Sequence, residues 1–162
     1  MSHRGPDNQG IFWDEKHNCG LGHRRLSIID LSIDGNQPMW TENQRYAIVF
    51  NGEIYNYLEL KDSFYKKGIT FRTKTDTEVI LEGYKLFGEN IIEKLNGNFS
   101  FVIYDSYTGD IFCGRDHLGV KPFYYYMIED SMIIASEIKS IIPLIDNLSV
   151  DIEALATPVH FQ

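Results

Sequence analysis

The stretch Phe50-Asn51-Gly52-Glu53-Ile54-Tyr55-Asn56 holds the residue types and spacing most suited to chemistry in this 162-residue chain. A β-branched and aromatic run ends in Asn-Gly, and an acid and a second Asn follow before a helical pattern. An Asn side-chain amide and a Gly backbone N–H at a strand end can aim two donors at a developing tetrahedral oxyanion. The same residues also satisfy a plain strand-to-helix turn, with Gly52 supplying a positive φ and Asn56 capping the helix. Gly22-His23-Arg24-Arg25-Leu26-Ser27-Ile28-Ile29-Asp30 places two arginines at the head of an apolar strand. Alternation sends Arg24 and Arg25 to opposite faces, so one of them can face a pocket and hold a carboxylate as a bidentate pair. The residues alone do not say which, and a solvated surface pair fits equally well. Asp76, at a helix start, reads as an N-terminal cap and equally as a rigid anion for a ligand ammonium group.

Other chemistries find little support. His3, His17, His23, His117 and His160 are scattered, without metal-ligand spacing. There is no glycine-rich phosphate loop and no Gly-x-Ser-x-Gly elbow. Cys113, beside Phe112, reads as a small core residue and Cys19 as a turn residue.

The elements that must position these groups are short and separated by frequent turns. Strands are expected at 26–29, 46–50, 99–104, 111–113, 123–128 and 132–135, with a hairpin from Asn98 to Cys113 closed at Thr108-Gly109. One helix is expected from Asn56 to Lys67, with Leu58, Leu60 and Phe64 on its apolar face and Gly68 as its stop. A second opens at Thr75-Asp76-Thr77-Glu78, buries Val79, Ile80, Tyr84 and Phe87, and ends at Gly88. Shorter helices are expected at 90–95 and at 137–142, the latter stopped by Pro143. Strands bracketing two central helices predict an α+β sandwich with mainly antiparallel sheets.

Composition agrees with one folded domain. Hydrophobic residues make up 43% and charged residues 23%, and 10 Phe, 10 Tyr and 2 Trp supply bulky core. A net charge of −8 disfavours nucleic acid and anionic membrane as partners. No apolar run approaches the roughly 18 residues of a membrane span, and the polar start has no signal-peptide core. Two cysteines fit a reducing, cytoplasmic compartment.

Seven ordered segments carry a resemblance to a known family: His3-Arg4-Gly5-Pro6-Asp7, Arg25-Leu26-Ser27-Ile28-Ile29-Asp30, Gly35-Asn36-Gln37-Pro38-Met39, Asn51-Gly52-Glu53-Ile54-Tyr55-Asn56-Tyr57, Thr75-Asp76-Thr77-Glu78, Arg115 to Tyr125, and Ala135-Ser136-Glu137-Ile138-Lys139. Together they resemble the class II (N-terminal nucleophile) glutamine amidotransferase domain of glutamine-hydrolysing asparagine synthetases. The resemblance implies a four-layer αββα sandwich and a glutaminase that supplies ammonia for ATP-dependent amidation of aspartate, a carbon–nitrogen ligase reaction. By position, Asn51 and Gly52 resemble the oxyanion hole, and Arg25 the residue holding the glutamine α-carboxylate. Glu53 and Asp76 resemble the acceptors for the α-amino group, with Leu26, Ser27, Ile28 and Ile29 lining the pocket. A zwitterionic amide substrate needs such a set.

The family opens with a cysteine nucleophile on a strand, followed by a helix, before His-Arg-Gly-Pro-Asp. Only Met1-Ser2 precede His3 here, and Ser2 has no strand to carry it to Asn51-Gly52. The resemblance therefore implies a chain truncated at both ends, lacking that first strand and helix and inactive alone. Residues 1–148 form the partial amidotransferase domain and 149–162 the start of a link to a synthetase domain. No metal or cofactor is expected in this domain; ATP and Mg would serve the synthetase domain. Exposed sheet edges suggest self-association as a homodimer. Two alternatives stay open: a non-catalytic glutamine-binding or interaction module, and a glutaminase half serving another acceptor.

Overall fold

In the sequence, β-rich runs flank two helical stretches, and the computed structural model assembles them as antiparallel sheets with helices on one side. It describes residues 3, 5–26, 30, 32–146, 148 and 149. The chain divides into two compact units, Met1–Pro122 and Phe123–Gln162.

The first unit is built on a four-stranded antiparallel sheet. Its order is β3 (Met39–Trp40), β4 (Tyr46–Ile54), β5 (Gly97–Asp105) and β6 (Ile111–Arg115). β5 and β6 form the expected hairpin, and Gly109 takes the positive φ (84°) that its turn requires. Side chains alternate across β4 and β5, so the sheet has two distinct faces. Ile48, Phe50 and Ile54 share one face with Phe99, Phe101 and Ile103, and there they pack against helices α1 (Tyr57–Tyr65) and α2 (Asp76–Phe87). Phe64 of α1 and Val79, Ile80 and Leu81 of α2 complete this core.

The other face carries Ala47, Val49, Asn51 and Glu53 beside Tyr104, Val102, Ser100 and Asn98. A second sheet covers part of it: the hairpin of β1 (Asn8–Asp14) and β2 (Cys19–Arg25). Phe12 contacts both Trp40 and Tyr104, at ring-centroid distances of 4.7 and 6.2 Å. The α–β–β layering of this unit and its antiparallel pairing give the α+β class expected from the sequence. The far face of the hairpin leaves Ile11 and Trp13 exposed, at 83% and 58%.

The second unit holds the hairpin of β7 (Tyr124–Ile128) and β8 (Ser131–Ala135). Two single 3₁₀ turns follow, Ile138–Ser140 and Ile142–Leu144. The helix expected at 137–142 is therefore not formed, and Pro143 sits inside the second turn, where its fixed φ is accommodated. Likewise Gly88–Lys94 is 3₁₀ rather than α-helical. Leu58 is exposed; Tyr57, Leu60 and Phe64 form the inner stripe of α1. Most of the expected strand at 26–29, and the link placed at 149–162 apart from Ser149, lie outside the described residues. No helix among the described residues is long and apolar enough to cross a membrane.

Candidate functional site

Backbone groups of successive residues in a strand point alternately to its two sides. Phe99 gives its N–H to Asp116 Oδ2 (3.2 Å) and its carbonyl to the Asp116 N–H (2.9 Å), so both point toward the β6 side. Gly52 faces Phe99 in register, and its own backbone groups consequently point away from β5, to the other edge of β4. Phe50 and Ile54, two residues to either side, point the same way. The Phe50 N–H donates to Gln37 Oε1 (2.6 Å), and the Phe50 carbonyl accepts from His23 Nε2 (3.1 Å). The Ile54 N–H donates to Asp76 Oδ2 (3.0 Å). Three side chains thus stand where a neighbouring strand would pair. Between them the Gly52 N–H has no hydrogen-bond partner among the described residues. A Cβ at Gly52, whose φ is 156°, would collide with the Asn98 carbonyl oxygen and the Phe99 Cα, so glycine is the residue this pairing admits.

Asn51 projects from the face opposite the helices. Its Nδ2 is buried and, among the described residues, lacks a partner. Burying an amide donor unsatisfied costs about 1–3 kcal/mol, so this orphan marks a site where an acceptor belongs. Glu53 shares that face and is exposed. Burial pushes the Asp76 carboxyl above its ordinary value, opposed by the Ile54 N–H, and the Glu53 charge adds to the rise. Two carboxylates that feel each other at one strand edge favour a cation between them.

Arg25 ends β2 and is buried, 8% exposed. Its Nη1 donates to the Ser32 carbonyl (2.6 Å) and to Asn36 Oδ1 (2.9 Å), and its Nη2 donates to the Asp30 carbonyl. Among the described residues these bonds occupy three of the five guanidinium N–H donors. Gly35 lies under the guanidinium: a Cβ there would meet Arg25 Nη2 and, at 3.1 Å, Thr75 Cγ2. The guanidinium and Thr75, the residue that caps α2 just before Asp76, thus both border Gly35. Arg24 turns the other way, to the Gly5 carbonyl (3.0 Å) and Gln9 Oε1 (2.6 Å). The structure thus separates two arginines that the sequence left equivalent. They close β2, and most of the strand expected after them lies outside the described residues. Leu26 is exposed, and Ser27, Ile28 and Ile29 lie outside the described residues.

Two expected caps are corrected. Thr75, not Asp76, caps α2: its side chain accepts from the Glu78 N–H, which leaves the Asp76 carboxylate free to cross to β4. Asn56 precedes α1 without a side-chain capping bond, because its amide bridges to the Lys94 carbonyl (2.9 Å) and the Asn96 N–H (3.0 Å).

Two contributors escaped the sequence reading. His23 was one of five scattered histidines, yet it lies two residues before Arg25 and so shares its strand face. Burial lowers its pKa, its Nε2–H is committed to Phe50, and its Nδ1 is buried without a partner among the described residues. Gln37 stands in the segment Gly35-Asn36-Gln37-Pro38-Met39, whose pattern gives it no role of its own. Neither cysteine reaches this edge. Cys19 pairs with Asp14 at the turn end of the β1–β2 hairpin, and Cys113 lies on β6 beyond β5; burial pushes both thiols up. No group of three metal-ligating side chains occurs among the described residues.

The whole chain, residues 1–162, matches the family described as the glutamine amidotransferase domain. Asparagine synthetase [glutamine-hydrolyzing] 1 of Bacillus subtilis is 45% identical over 99% of this chain and 25% of its own length. A putative asparagine synthetase of Methanocaldococcus jannaschii is also 45% identical, over 88% of this chain and 30% of its own. The chain thus spans about a quarter to a third of these relatives. Among solved structures, the glutamine phosphoribosylpyrophosphate amidotransferase of B. subtilis superposes with a TM-score of 0.65 at 25% identity, covering 75% of this chain and 28% of that one.

Proposed function

The chain belongs to the glutamine amidotransferase domain family, and we propose that the free edge of β4 is its glutamine site. The observation that carries this reading is Asn51 Nδ2, a buried amide donor without a partner among the described residues, next in the strand to the Gly52 N–H, which points to the open edge of β4. On this proposal they receive the side-chain carbonyl oxygen of glutamine and hold it as negative charge develops there. Asp76, with Glu53 beside it, takes the α-ammonium group, and Arg25 takes the α-carboxylate through donors left open among the described residues. The three groups anchor both ends of a flexible amino acid, so its amide carbon is held in place before attack.

On the same proposal the parent activity is glutamine hydrolysis, with the ammonia passed to a synthetase domain that amidates aspartate using ATP and Mg in a cytoplasmic setting. The 45% identity to proteins named asparagine synthetases supports aspartate as acceptor. A relative named Amidase chry2, of Gibberella zeae, is 40% identical, so a glutaminase half of this kind coupled to a different acceptor is the second reading.

Titration calorimetry of the 162-residue chain with L-glutamine tests the site. Single-site binding that discriminates against D-glutamine and L-glutamate is the expected result. No binding, or equal affinity for L-glutamine and L-glutamate, would overturn it.

A further inference from the structure

Recognition at this edge depends on a distance between two elements. β4 contributes Asn51 and Gly52, whereas α2 contributes Asp76. The spacing between them must match the number of methylenes separating the amide and amino ends of a substrate. Gln37 sits where that spacing is set. Its Oε1 accepts the Phe50 N–H (2.6 Å), which fixes the amide orientation and leaves Nε2 to donate to Thr77 Oγ1 (3.3 Å) in the first turn of α2. Gln37 and Thr77 are both buried. β4 and α2 are therefore pinned together twice, by Gln37 at Phe50 and by Asp76 at Ile54, with Gly52 midway between the pins.

The second pin is itself a proposed ligand group, and a carboxylate that turns toward an ammonium loosens its hold on Ile54. Of the two polar pins, the Gln37–Thr77 bridge then remains, beside the apolar packing of β4 on α2, to hold this stretch of strand in register with the helix. We infer that Gln37, acting through Thr77, is a positioning residue that sets side-chain-length selectivity at this edge, favouring a γ-amide over the one-carbon-shorter β-amide. This inference rests on the glutamine-site reading above.

Thr77→Val removes the acceptor while leaving Gln37 on β4, and Thr77→Ser keeps a hydroxyl there. Affinities of the wild-type chain and both variants for L-glutamine and L-asparagine are to be measured, with thermal unfolding in parallel. Thr77→Val is expected to weaken L-glutamine about tenfold, consistent with one buried hydrogen bond. L-Asparagine should change less than about threefold, so that the selectivity ratio narrows, and Thr77→Ser should restore it. A ratio unchanged in Thr77→Val, with glutamine still bound by wild type, would overturn the inference alone. Equal losses for both amides, or an unfolded Thr77→Val, would make the bridge merely structural and overturn it as well. Failure of wild type to bind L-glutamine would overturn the site reading and this inference with it.

Discussion

The two halves of β4 solve the same problem in opposite ways. At the Tyr46–Val49 end, no buried side-chain nitrogen or oxygen among the described residues lacks a partner under the β1–β2 hairpin. The hydroxyl of Tyr104, fully buried, donates to Asp14 Oδ2, and His17 Nδ1 lies 3.0 Å from the same oxygen. The hydrogen bonds from Tyr104 and His17 hold the Asp14 carboxyl far below the usual range, and burial together with Asp14 pushes the Tyr104 phenol up. Asp105 nearby is gripped by Arg45 through both carboxylate oxygens, at 2.7 to 3.2 Å. At the Phe50–Ile54 end, Asn51 Nδ2, the Gly52 N–H and His23 Nδ1 are left without partners among the described residues. A satisfied polar cluster fixes one arrangement, whereas buried polar groups left open store a cost that a ligand relieves. The first half anchors the hairpin; the second is the edge proposed to bind glutamine.

Substitutions can break this contrast in order of expected size. Asp76→Asn keeps an oxygen for the Ile54 N–H but removes the charge, and should weaken L-glutamine by about 100-fold in calorimetry, in the range of a charge-assisted bond. Thermal stability should hold or rise, since burial disfavours the ionised carboxyl. Asn51→Leu should weaken glutamine by about tenfold while stabilising the free chain by up to about 1 kcal/mol in chemical denaturation, because an unsatisfied buried donor is lost. Tyr104→Phe makes the reverse trade: a loss of about 1 kcal/mol in stability, with glutamine affinity unchanged.

The smallest effect is a pH dependence. The Asp76 carboxyl titrates above its ordinary range, so free protein holds that proton to higher pH than an exposed Asp. Bound ammonium favours the ionised form. Glutamine affinity should therefore fall as pH drops through the raised Asp76 value, with proton release on binding in that window. An Asp76→Asn chain should lose the dependence. Stability moves in the same direction at His23: its lowered pKa means that the unfolded chain takes up a proton first, so stability declines as pH falls below about 6.5.

Much of this contrast was legible in the sequence, for identifiable reasons. The strand expected at 46–50, the hairpin at Thr108-Gly109 and the helix opening at Thr75 follow from strong local signals: β-branched runs, turn glycines and a capping threonine; the extension of that strand through Asn51 and Gly52 to Ile54, set by pairing with β5, does not. β1 went unread because its pattern is inverted. Gly10, Phe12 and Asp14 turn inward while Ile11 and Trp13 face out, so hydrophobic alternation points to the wrong face. Asn56 and Asp76 were misread as caps because local side-chain hydrogen bonds compete with long-range ones, and here the partners at Asn96 and Ile54 win. His23 and Gln37 act on the backbone of a strand distant in sequence, and no local spacing encodes that pairing.

The most direct test is an amide spectrum of the ¹⁵N-labelled chain titrated with L-glutamine. The account predicts saturable shifts at the Asn51 side-chain NH₂ and the Gly52 N–H, spreading to Ile54 and Asp76, with Tyr104 and His17 unmoved. Shifts confined to the Asp14–Tyr104 end, or none at Asn51 and Gly52 at saturating glutamine, would contradict it.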